Sequence, residues 1–131
     1  MYGTYGEKPE LEAKVKRKID RWIARNLPDA YVYKPGGGPW GVAGTPDYFI
    51  CWLGIFIAIE VKREGMDPRP NQWAALRSIK AAGGIAAVIR GDQLNRLPTI
   101  KLEVLKRVQH SQLQLAHDGG TNSLHPSEAH R

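Results

Sequence analysis

The segment from residue 47 to residue 62 constrains this chain more than any other part of it. Two runs rich in β-branched and aromatic residues, about 47–53 and 55–62, are separated by little more than Leu53-Gly54. Runs that close together leave room only for a tight hairpin. The second run ends Ile59-Glu60-Val61-Lys62. Alternate residues of a strand share a face, so Glu60 and Lys62 point one way while Ile59 and Val61 point the other. Two opposite charges on one face of an otherwise apolar strand are hard to explain as packing. On residue types alone they also fit a solvated ion pair at the end of an edge strand, with Asp47 capping a turn. If Asp47 opens the partner strand, it can come close to Glu60. Two carboxylates can then hold a divalent cation through oxygen ligands, with a neighbouring ammonium to position water or stabilise developing charge.

The flanking sequence supplies a scaffold for this hairpin. Leu11, Val15, Ile19, Trp22 and Ile23 recur at helical spacing from Pro9 to about Asn26. At about 100° per residue, Glu12 falls within roughly 20° of Ile19 and Ile23, inside the apolar arc, whereas Glu10 lands on the solvent side. A carboxylate on a buried face needs a partner or a metal, which makes Glu12 the odd residue of the helix. Residues 31–34 read as a short strand. The stretch from Pro35 to Gly44 reads as a glycine-rich mobile loop carrying Trp40. After the hairpin, a helix is expected to open at Pro70 and stop at Gly83-Gly84. Its Trp73, Leu76 and Ile79 are expected to pack, and Gln72 shares their inward face. Ile85 to Ile89 reads as a buried strand, and a last helix is expected around Ile100 to Leu115 from Leu102, Leu105 and Val108. This order predicts an α/β sandwich. A single domain is expected over 1–116 and a flexible tail over 117–131, with no internal repeat.

Composition narrows the chemistry. All four histidines lie between residues 110 and 131, and Ser78 is the sole serine before residue 110. Serine-histidine, cysteine-histidine and histidine-zinc chemistries therefore lack their residues in the predicted core. Catalysis would have to run on carboxylates, lysine or arginine and a hard metal ion. The single cysteine, Cys51, cannot form an intrachain disulfide and reads as a buried core thiol. The absence of a signal-like N-terminus or a membrane-length apolar run adds to an expectation of a cytoplasmic protein. The net charge is +6; residues 117–131 contribute −1, so the body carries +7. A basic body suits a polyanion such as nucleic acid.

The order Glu12, Gly44-Thr45-Pro46-Asp47, Glu60-Val61-Lys62, Gln72 resembles the PD-(D/E)XK nuclease superfamily. Within it, Gly-Thr-Pro-Asp, Ile-Glu-Val-Lys-Arg and Arg-Pro-Asn-Gln followed by Ala-Ala-Gly-Gly resemble the VRR-NUC branch, which includes small stand-alone phage and bacterial proteins. The resemblance covers about residues 10–91. It implies a restriction-endonuclease-like fold, a central mixed sheet flanked by helices, and Mg²⁺- or Mn²⁺-dependent hydrolysis of DNA phosphodiesters. It also implies Asp47, Glu60 and the Val61 carbonyl as metal ligands and Lys62 as the group that orients water. Glu12 would bind the metal or its water, and Gln72 would support Lys62 or the water. Lys34, Arg63 and Arg69 are expected to touch DNA phosphates, and Trp40 to stack on DNA or anchor a hinge. The expected activity is a homodimeric, structure-selective endonuclease acting on branched DNA such as four-way junctions. A nickase, an end-trimming exonuclease and a non-catalytic DNA-binding subunit are the alternatives.

Overall fold

The structure is a computed structural model and describes residues 11–36 and 41–119. Glu10, Trp40 and most of the expected tail lie outside the described residues. Helix α1 (Glu12–Asn26) presents Val15, Ile19 and Ile23 as its buried line, with Trp22 partly buried beside them. It is followed by strand β1 (Tyr31–Tyr33), the hairpin β2 (Tyr48–Trp52) and β3 (Ile55–Lys62), and helix α2 (Pro70–Ala81). Strand β4 (Ile85–Arg90), a short 3₁₀ turn at Leu94–Arg96 and helix α3 (Leu97–Asp118) complete the described chain.

The four strands form one sheet in the order β1-β2-β3-β4. β1, β2 and β3 are antiparallel neighbours, and β3 pairs with β4 in parallel. Leu53 and Gly54 both have positive φ, 52° and 78°, as a two-residue turn matched to strand twist requires. The parallel β3–β4 pair needs a crossover, and α2 provides it.

Strand alternation sorts the apolar side chains into two layers. Tyr48, Ile50 and Trp52 of β2 join Ile57, Ile59 and Val61 of β3 and the buried lines of α1 and α3 in the larger core. Ala58, Ala86 and Val88 meet Leu76 of α2 in a smaller core on the opposite side, with Phe49 and Ile79 against it. The arrangement is helices on both faces of a mixed sheet.

Four packing expectations need correction. Leu11 is 62% exposed, in extended backbone just ahead of α1 and outside its buried line. Cys51 is exposed, because it has the outer parity of β2, shared with Phe49, and not the core parity of Tyr48, Ile50 and Trp52. Trp73 is 38% exposed; Leu76, not Trp73, is the buried apolar anchor of α2. In α3 the buried line is Leu97, Ile100 and Val104, and Leu102 and Leu105 face solvent. That helix begins three residues before the expected start, with Pro98 in its first turn, and the earlier start sets the phase.

Candidate active site

The candidate site forms where β3 ends and β2 begins. Tyr48 lies opposite Ile59, so continuing the register by one residue sets Asp47 against Glu60. The Val61 backbone N–H donates to Asp47 Oδ2 at 2.7 Å and fastens that carboxylate to the strand. The even-numbered residues of β3 face α2, as Ala58 does, and Glu60 therefore meets that helix. Gln72 Nε2 donates to Glu60 Oε1 at 3.0 Å, while Gln72 Oε1 accepts the Arg69 backbone N–H at 2.8 Å. The second bond is half of a capping box, and it fixes which end of the Gln72 amide is turned to the carboxylate. Lys62 Nζ stands 3.8 Å from Glu60 Oε1, too far for a hydrogen bond but near enough for charge to matter.

Glu60 is 2% exposed, and its Oε2 is buried with no hydrogen-bond partner. Burial pushes its carboxyl up to about 8 from the usual 4.5. The negative charge of the neighbouring Asp47 pushes the same way, as does that of Glu12, while Lys62 opposes them. Two ionised carboxylates set against each other repel, and a proton or a cation between them would relieve the pair.

Helix α1 brings three charges at i, i+4 and i+8 to this end of the sheet. Glu12 is half-buried and its charge is felt at Glu60. Lys16 Nζ lies 2.9 Å from Asp47 Oδ1. Asp20 Oδ1 accepts the Tyr48 hydroxyl at 2.6 Å, and Asp20 Oδ2 accepts Lys34 Nζ at 3.0 Å. Tyr48 is fully buried; burial first, then the Asp20 bond and charge, raise its hydroxyl well above the usual phenol range. Sequence reasoning passed over Lys16, Asp20 and the Tyr48 hydroxyl. The signal was the four-residue spacing from Glu12, which puts all three α1 charges on one ridge.

Asp47, Glu60, Lys62 and Gln72 are thus gathered, with Glu12 within electrostatic range. Lys34 lies apart from the carboxylate pair, held by Asp20 and 5.7 Å from the centre of the Tyr48 ring. Arg63 and Arg69 are exposed beside the site, on the segment that joins β3 to α2.

Two observations bear on a metal. The pair of opposed carboxylates with one buried, unpartnered oxygen is a donor set that a hard divalent cation would satisfy. Among the described residues no group of three or more His, Cys, Asp or Glu side chains is placed to hold a metal ion. Mg²⁺ keeps several waters and commonly takes only one or two protein carboxylates, so this sparse set fits it.

No family model matches the sequence, and no curated protein matches it. Among solved structures, one titled "VRR_NUC domain" aligns with a TM-score of 0.56 at 21% identity, over 67% of this chain and 94% of that one. The fold is that of a VRR-NUC domain. Its mixed four-stranded sheet flanked by helices is the restriction-endonuclease-like arrangement expected from the sequence. In this VRR-NUC fold the carboxylate pair lies where the antiparallel hairpin ends beside its parallel neighbour β4.

Proposed function

We propose that this protein is a metal-dependent DNA nuclease that hydrolyses phosphodiester bonds. The observation that carries this reading is Glu60 Oε2, buried and unpartnered against Asp47 at the end of a VRR-NUC fold. Asp47, Glu60 and the Val61 carbonyl would hold Mg²⁺, with Mn²⁺ able to substitute. The ion would polarise the phosphoryl oxygen and lower the pKa of a bound water. Lys62 would orient that water and hold its ammonium toward the charge that develops on the phosphoryl oxygens. Gln72 would keep Glu60 aimed, using the amide that its capping bond orients. Glu12 would add negative charge behind the pair and bind a metal-coordinated water. Lys16 would hold Asp47 in place while the site is free of metal.

The preferred substrate in this proposal is branched DNA such as a four-way junction, cut by a homodimer that presents one site to each of two strands. So small a domain has little surface for reading bases, and contacts to shape and backbone suit it better. The direct test incubates the protein with supercoiled plasmid in Mg²⁺, Mn²⁺ or EDTA, and then with labelled duplex, flap, splayed-arm and four-way-junction substrates. Metal-dependent cutting that disappears in Asp47→Ala and Glu60→Ala, by on the order of 10²–10³ or more, is expected. Cleavage in EDTA would overturn the metal assignment. Single nicks or progressive trimming from ends would replace paired cutting with the nickase or exonuclease reading. Binding without any cutting would leave a DNA-binding subunit.

A further inference from the structure

Among the described residues β4 is an edge strand of the sheet. A groove runs along it between α2 and α3. Its far half, about 410 Å³, passes Ile85, Ala86 and Ala87 between Lys80 and Arg107. Its near half, about 150 Å³, passes Ala86, Ala87, Val88 and Arg90 beneath Trp73 and Arg77. Lys80, Ala86, Ala87 and Arg96 line both halves, so the two cavities adjoin along the strand. At its near end Arg90 pairs with Lys62 across the β3–β4 ladder, one strand spacing of roughly 4.8 Å from the candidate site. Six strand residues extend about 20 Å. That length spans roughly six phosphates at the spacing of a duplex strand, and fewer in an extended single strand.

The lining is unusual in two ways. Trp73, Arg77 and Lys80 stand at i, i+4 and i+7 on one face of α2, an exposed indole followed by two cations. Among the described residues, the side chains of Arg77 and Lys80 have no hydrogen bond or ion pair, whereas the other cations of the groove are anchored. Arg96 donates to the Val88 carbonyl at 2.9 Å and occupies the strand edge where another strand would add. Arg107 donates to the Gly83 carbonyl and pairs with Glu103. Arg90 pairs with Asp67 and donates to the Met66 carbonyl. The guanidinium at the edge blocks pairing with a polypeptide strand and leaves a positive, aromatic-sided trough.

We propose that this groove is a track for an unpaired DNA strand, which leaves the candidate site past Arg90 and stacks a base on Trp73 while Arg77 and Lys80 hold its phosphates. Stacking requires an unpaired base with its face available, and an aromatic ring beside a cationic groove is how single strands are held without regard to sequence. A duplex would use the cations but leave the indole without a role. The proposal deepens the nuclease reading by selecting, among branched DNAs, those that carry a single-stranded arm, as flaps and splayed arms do and a fully paired four-way junction does not, and it rests on that reading for the choice of DNA.

The test measures binding, in EDTA, so that it stands apart from cleavage. A fluorescently labelled oligothymidylate and a blunt duplex of equal length are titrated by anisotropy against the full chain. Trp73→Ala is expected to weaken oligothymidylate binding by about tenfold, with Trp73→Phe within about threefold of the wild type. Arg77→Ala with Lys80→Ala is expected to weaken it further. That pair should also make the dependence of log K on log salt shallower, by about 0.7 for each phosphate the variant no longer neutralises. Blunt-duplex binding should be unchanged in Trp73→Ala. Unaltered oligothymidylate binding in Trp73→Ala would overturn the track. So would an equal loss in the Phe and Ala variants, or an equal loss on duplex. Strand binding that depends on Trp73 without any metal-dependent cutting would keep the track and reject the nuclease. Cutting with strand binding indifferent to Trp73 would do the reverse.

Discussion

Glu60 has opposite effects on the metal-free fold and on the proposed chemistry. Its carboxyl is raised to about 8, so between the ordinary value of 4.5 and that point the folded chain keeps a proton that the unfolded chain has lost. Stability of the metal-free protein should therefore fall as pH rises through this window. The slope should be no steeper than the ~1.4 kcal/mol per pH unit that one proton allows. Thermal unfolding in EDTA from pH 5 to pH 8 measures it, and Glu60→Gln should flatten the curve. A wild-type curve already as flat as that of Glu60→Gln would mean that water reaches Glu60 freely. Lys62 gives a second expectation at this scale. Lys62→Ala should lose most turnover yet bind Mg²⁺ as well as before or slightly better, since an ammonium repels the cation it sits beside. Calorimetric titration alongside cleavage rates separates the two effects, and a fully active variant would reduce Lys62 to an ion-pair partner. Glu60 and Lys62 were legible in sequence because charges inside an apolar strand are costly to bury without a partner or an ion, and Asp47 because the hairpin brings the residue before its first strand opposite Glu60. Lys16 was not, since a lysine on a basic helix looks like solvated surface until Asp47 is seen 2.9 Å away.

Elements are coupled at Gly44, which lies three residues before Asp47. Its φ is +85°, and a Cβ added there would meet the Asn71 carbonyl oxygen at 2.8 Å. Asn71 is in the first turn of α2, next to Gln72. The loop that delivers Asp47 and the helix that delivers Gln72 are thus packed directly together. Gly44→Ala should cost about 1–3 kcal/mol from the left-handed backbone and the close approach together. It should lower cleavage as well as Tm, because Asp47 and Gln72 shift relative to each other. A Tm drop with full activity would show the two elements to be independent. The α1 ridge predicts a different pattern: Glu12→Gln should reduce cleavage with little change in Tm. Full cleavage in Glu12→Gln would remove Glu12 from the site. Most element boundaries were readable from β-branched runs and from the Pro70 and Gly83-Gly84 signals. The phase of α3 was not, because Leu102 and Leu105 carry the same apolar signal as Ile100 and Val104, and only contact with the sheet selects between them.

For the whole molecule, that unselected stripe becomes an expectation about assembly. Leu102, Leu105 and Leu113 lie on the side of α3 away from the core, about 16 Å from end to end at 1.5 Å per residue. Leu113 and Leu115 are 63% and 71% exposed, on the final turns where every described residue from 109 onward faces solvent. A second copy is the partner proposed for this stripe, since a helix face can meet its own two-fold image and the proposed paired cutting needs two sites. A stable pair needs roughly 800 Å² from each chain, more than three leucines supply, so the projecting turns would have to lie over the partner. The sheet face around Tyr31, Tyr33, Phe49 and Phe56 is the competing apolar surface, with a shallow cavity of about 300 Å³. Light scattering at micromolar concentration should report about twice the chain mass. Leu105→Lys combined with Leu113→Lys should return it to one, because two like charges would face their own images across the axis. Tyr33→Ser should leave the dimer intact. If Tyr33→Ser dissociates it and the α3 variant does not, the interface belongs to the bare sheet face. A wild-type monomer that still makes paired cuts in one binding event would remove the need for a dimer altogether.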